Sequence, residues 1–154
     1  MRRVRRTGLV LAASGLGLGL LAGCADEGER YCDDLADSRE RLSDLAGSTA
    51  EDPGALEETL AVLEDLGEGA PGDVADEWTT LVFAYEGLVE AFDDAGVSPA
   101  DYDPGAPPED VTEEEARRIE DAAAELASAR VLAAADGVEQ HARDVCKVDL
   151  GLAR

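Results

Sequence analysis

From Tyr31 onward apolar residues recur three and four positions apart, and nowhere do they alternate with polar ones between turn residues. That pattern predicts an all-α chain. A first helix is expected over about 29–46, with Tyr31, Cys32, Leu35, Leu42, Leu45 and Ala46 on one face and Gly47 just past its end. Asp52 is placed to cap a second helix with Pro53 at its first position. Leu56, Leu60 and Leu63, with Val62 and Leu66, give that helix a stripe that stops at Gly67 and Gly69. The third segment is the most regular. Pro71 and Asp73 open it, Gly96 closes it, and Val74, Trp78, Leu81, Tyr85, Leu88 and Phe92 alternate by four and three, with Val82 and Val89 beside them. Trp78, Tyr85 and Phe92 fall seven apart and are expected to stack along one line. The line serves either as the bulk of the core or as an aromatic ligand groove. Aromatics make up only 4% of the chain, which favours the core.

Residues 97–110 contain Pro99, Pro104, Pro107 and Pro108 and cannot be helical throughout, so they form a crossing connection or a mobile segment. Asp101, Asp103 and Gly105 fit a calcium loop only in part, because Gly105, Ala106 and Thr112 stand where a ligand, the glycine and the bidentate Glu belong. Thr112-Glu113-Glu114-Glu115 is a capping box. Behind it come two seams rotated from one another. The first is Ile119, Ala122, Ala123, Leu126 and Ala129; the second is Val131, Leu132, Ala135, Val138, Ala142 and Val145. The shift falls near Ser128 or Gly137, so the segment is one bent helix or two. Asp37–Arg41, Glu113–Arg117, Glu114–Arg118 and Glu139–Arg143 are acid-before-base pairs at i, i+4. The architecture expected is an antiparallel four-helix bundle over 30–148, with 149–154 frayed.

The N-terminus follows a different pattern. Arg2, Arg3, Arg5 and Arg6 precede 16 uncharged residues, 8–23, which are short for a membrane span and weakened as helix by Gly15, Gly17 and Gly19. This is the order of a secretory leader. Gly17-Leu18-Gly19-Leu20-Leu21-Ala22 spells the dinucleotide fingerprint, but no strand precedes it. Arg5-Arg6 lacks the usual flanks of a twin-arginine signal, so the general secretion route fits better. The leader ends in Leu21-Ala22-Gly23-Cys24, which resembles the lipobox of bacterial lipoprotein precursors. The resemblance implies a signal peptide over 1–23, cleavage before Cys24, and a diacylglyceryl group on its thiol. Residues 24–29 then make a short polar tether, and the domain is held on the outer face of the cell membrane by its acyl chains. A signal anchor, or an ordinary cleaved signal with a free Cys24, is the alternative.

With Cys24 given to lipid, Cys32 and Cys146 remain of the three cysteines. In an oxidising compartment such a pair is expected to form a disulfide; two buried thiols, or a metal or redox role, are the alternatives. Tyr31-Cys32-Asp33-Asp34-Leu35 and Val145-Cys146-Lys147-Val148-Asp149-Leu150 resemble the cysteine-bearing ends of small helical lipoproteins of high-GC Gram-positive bacteria, a group without a settled activity. Those proteins often carry Gly after the last cysteine, where this chain has Lys147.

Charge narrows the partners. Beyond the leader 9 basic residues face 36 acidic ones, a charge of −27, which repels nucleic acid and anionic lipid headgroups. No catalytic constellation is legible. His141 is the single histidine, with no serine or cysteine three or four residues away, and Val138 stands where a Glu-x-x-His di-iron motif needs Glu. Glu86 with Glu90, and Glu90 with Asp94, are paired carboxylates, but nothing in the pattern buries either member as acid–base chemistry requires. No catalytic residue, metal ligand or cofactor is expected. The function expected is a lipid-anchored binding module for an envelope protein or small ligand, and not an enzyme. The alternative is a cation- or solute-handling envelope protein. The pattern shows no docking patch, and a basic partner fits the charge better than an acidic one.

Overall fold

A computed structural model describes residues 22–48, 52 and 54–151, and every regular element among them is helical. The helices are α1 (Ala22–Ser48), α2 (Ala55–Glu68), α3 (Ala75–Ala95), α4 (Glu113–Leu126) and α5 (Ala129–His141), and a π-helical turn, Ala142–Cys146, continues from α5. Residues 1–21, within the expected leader, lie outside the described residues, as do the side chains of 22–26 and of 46–48, Ala46 among them. For Cys24, the expected lipid acceptor, only its backbone in the first turn of α1 is described. No described helix is long and apolar enough to cross a membrane.

The helices form a bundle around α3, which packs against α2, α4 and α5, while α1 packs on α2 and on the π turn. The expected α3 seam is buried, with Val74, Trp78, Leu81, Leu88 and Phe92 all in the interior. It spans two cores. Val74, Trp78 and Leu81 join Tyr31, Leu35, Leu63, Val138 and others near the disulfide. Leu88 and Phe92 join Leu56 and Ile119 at the other end, with Tyr85 and Leu126 touching both cores. The three aromatics do not stack on one another. Seven helical residues rise about 10 Å, beyond the 4.5–7 Å range of ring pairs. Phe92 instead meets Tyr102 edge-on at 5.6 Å.

That contact makes 97–110 a crossing connection. Tyr102 is half-buried and its hydroxyl donates weakly to the Ala116 carbonyl at 3.4 Å. Asp101 accepts from Ser98 Oγ, and Asp103 accepts from the Gly105 amide. Both carboxylates therefore serve local turns.

The last segment is two helices, giving five rather than four. Ser128 breaks the line: its hydroxyl accepts from the Val131 amide and caps α5. Gly137 is a point of close approach, since a β-carbon there would fall 2.9 Å from Glu77 Cγ on α3. Restarting the helix at Ser128 leaves Ala129 and Leu132 exposed instead of on a seam, and Ala123 on α4 is exposed as well. The π turn moves Val145 in the same way. In an unbroken helix 145 lies seven residues beyond Val138, on its face, and 146 lies about 80° round. A π turn takes up one extra residue, so Cys146 comes round to the face of Val138 and Val145 is 59% exposed.

Both ends of the expected domain shift. The span 24–29 is helical rather than an extended tether, because nothing there stops a helix; Glu27, Glu29 and Arg30 are exposed and leave no apolar trace. At the other end fraying does not start at 149, since Leu150 is 4% exposed in the disulfide-side core; 152–154 lie outside the described residues.

Charges bind elements together. Arg41, expected to pair with Asp37, reaches across to Glu58 on α2 at 2.7 Å. Arg118 reaches Asp94 on α3 at 2.9 Å instead of Glu114. Arg130 bonds Glu125 across the Ser128 break at 2.6 Å and holds that carboxyl below its ordinary pKa. Glu139 and Arg143 do meet, at 3.3 Å.

Candidate binding groove

Cys32 and Cys146 are joined by a disulfide that ties α1 to the π turn. Beside it lies the most polar part of the interior. Trp78 Nε1 donates to Tyr31 Oη at 2.8 Å, with both residues essentially inaccessible. Burial raises the Tyr31 pKa; the Trp78 hydrogen bond opposes this and the Asp73 charge adds to it. The His141 ring lies 5.7 Å from that of Tyr31, and its Nε2 is 3.5 Å from Asp73 Oδ2. His141 is half-buried, and its buried Nδ1 has no hydrogen-bond partner among the described residues. A neutral tyrosine accepting a hydrogen bond is no nucleophile at neutral pH, and this centre fixes the packing of α1, α3 and α5.

Glu139, 1% exposed, is the buried acid that sequence reasoning missed. The signal was present: position 139 lies four after Ala135 and three before Ala142, within the apolar stripe of α5. Its Arg143 neighbour supplies charge to a site where a lone carboxylate would be costly. The expected pairs Glu86–Glu90 and Glu90–Asp94 are exposed on α3, and among the described residues no three His, Cys, Asp or Glu side chains converge on a point.

The surface also carries a cleft that the sequence pattern did not show. A cleft of about 560 Å³ lies between α2 and α3. Phe83 and the half-buried Val82 supply its apolar lining above the buried Trp78, and Phe83 is 66% exposed, the most exposed large apolar side chain described. Gly67 on α2 creates the space: a β-carbon there would sit 3.5 Å from Trp78 Cβ and 3.7 Å from Val82 Cγ2, filling the floor. The rim is acidic, with Glu64, Asp65 and Glu68 from α2 and Glu86 from α3. No basic residue lines the cleft. Two features of the sequence pointed here: Phe83 is a large apolar residue off the α3 seam, and Gly67 interrupts the α2 stripe facing it.

Fold and groove together define a disulfide-closed helical domain that carries an apolar, acid-rimmed cleft between α2 and α3. The chain matches no protein-family model, no curated protein and no solved structure.

Proposed function

We propose that this chain is a lipid-anchored binding module on the outer face of the cell membrane, attached through Cys24 and acting through the α2–α3 groove on an envelope partner. The groove carries the binding reading: it leaves Phe83 uncovered beside a cleft large enough for several side chains. The order of basic block, uncharged stretch and Leu21-Ala22-Gly23-Cys24 supports the anchor, and the Cys32–Cys146 bridge suits an oxidising compartment.

The anchor is tested by fractionation and mass spectrometry. Cys24→Ala is expected to release or mislocalise the protein, and the mature wild-type N-terminus to carry a thioether-linked lipid. Membrane retention of an uncleaved Cys24→Ala precursor would point to a signal anchor instead. The groove is tested separately, with a photoreactive phenylalanine in place of Phe83 or of exposed Leu132 in the native envelope. A discrete adduct from 83 and none from 132 is expected; equal labelling from both positions would overturn the groove.

A further inference from the structure

We propose that the occupant of the α2–α3 groove is a basic amphipathic helix of a partner protein, laid with its apolar stripe on Phe83 and its lysines or arginines against the rim. This rests on the binding reading above and names the partner's chemistry. Length comes first. The α3 wall runs from Trp78 to Glu86, a rise of about 12 Å, which matches roughly two turns of a docked helix. An isolated small cation would leave the Phe83 ring in water.

The rim then selects the charge. The side chains of Glu64, Asp65, Glu68 and Glu86 make no ion pair or hydrogen bond with the rest of the described chain. Four acids elsewhere take arginines: Glu58 has Arg41, Asp94 has Arg118, Glu125 has Arg130 and Glu139 has Arg143. No basic residue of the chain lines this cleft, so its four carboxylates are left to an incoming cation. Carboxylates of one sign beside a low-dielectric floor focus potential into the cleft and draw cations in. An arginine or lysine over the exposed Phe83 face would add a cation–π contact. A second copy of this chain is a poor occupant, because it brings its own large negative charge and no basic residue to the same face. Apolar contact thus sets the residence time, while the rim sets the encounter rate and the choice of partner.

The test uses the purified full-length chain and two synthetic peptides of roughly 18 residues, built from the same leucines and lysines. One places leucines at i, i+3, i+4 and i+7; the other scrambles them so that no stripe forms. Calorimetry at about 0.15 M salt, where distant charges are screened, is corrected for heat into detergent alone. The striped peptide is expected to bind at least about tenfold more tightly than the scrambled one. Phe83→Ala and the double change Glu64→Lys, Glu86→Lys should each weaken it about tenfold or more, while Glu113→Lys on α4 leaves it within about twofold. All four positions are exposed, and circular dichroism confirms that the variants fold. Equal affinity for the two peptides, or no effect of Phe83→Ala, would show undirected attraction to a polyanion and overturn the proposal. If neither peptide binds while position 83 still yields its adduct, the basic helix falls and the groove stands. Loss of the adduct's position specificity removes the groove itself.

Discussion

Lys147 is the one non-glycine residue described with a left-handed backbone, at φ 61°. It follows Cys146 and ends the π turn, its amide donating to the Ala142 carbonyl. A residue with a β-carbon gives up about 1–2 kcal/mol in that conformation. The side chain recovers part of this, since Nζ donates to the Asp144 carbonyl at 2.6 Å. At the end of α3 the same conformation is taken by Gly96, at φ 64°. Lys147→Gly is therefore expected to raise the urea midpoint, with a gain of up to about 1 kcal/mol once glycine's greater freedom in the unfolded chain is counted. A lower midpoint would mean that the Nζ–carbonyl bond outweighs the strain.

Among the elements, α4 depends most on local chemistry, because Ile119 is its only fully buried residue. Its start is held by a reciprocal cap: Thr112 Oγ1 accepts from the Glu115 amide at 3.2 Å, and Glu115 Oε2 accepts from the Thr112 amide at 2.8 Å. The Thr112 backbone and side-chain hydrogen bonds hold the Glu115 pKa below its ordinary 4.5. A carboxyl lowered by folding contributes stability above its unfolded pKa and loses it as pH falls through the folded value. Thr112→Ala should thus cost about 1 kcal/mol at neutral pH and move the Glu115 titration upward by NMR, with the difference from wild type shrinking in acid. An unchanged titration would mean that the cap is not formed in solution. This box and the α3 seam were legible in the sequence because each is a local pattern whose partners lie within one helix. The reach of Arg41 and Arg118 to other helices was not, since the side chains choose between intrahelical acids and closer ones on a neighbour. The start of α1 was hidden because its first turns bury nothing. The π turn was hidden because a 3.6-residue period cannot register one added residue, so Val145 was placed inside and Cys146 beside it. Phe83 and Gly67 were visible, but the cleft they form needs the pairing of α2 with α3.

For the whole molecule, the dominant facts are a chain with 36 acids, of which Glu139 is the one buried among the described residues, and a core with few large aromatics. Repulsion among those acids opposes compaction at low salt, and the Cys32–Cys146 bond opposes expansion by closing a loop of 114 residues. The chain-entropy model gives about 4–5 kcal/mol for such a loop, less any cost in the folded state. That is a large share of the roughly 5–15 kcal/mol typical of folded domains. Reduction is expected to lower the melting temperature, and more so at low salt, where the acids of the opened chain repel over longer distances. The loss should not be uniform. The π turn, Val148 and Leu150 join the core near the bridge, whereas Leu88, Phe92 and Ile119 form a separate cluster at the far end of α3. Hydrogen exchange on reduced protein should therefore show opening first over 142–151 and the start of α1, with protection retained longest where α3 meets α4. Equal loss at both ends would make the bundle a single cooperative unit. An unchanged melting temperature, or two free thiols in the oxidised protein, would remove the bridge from the account of stability, and the burial of Leu150 beside it would then need another cause.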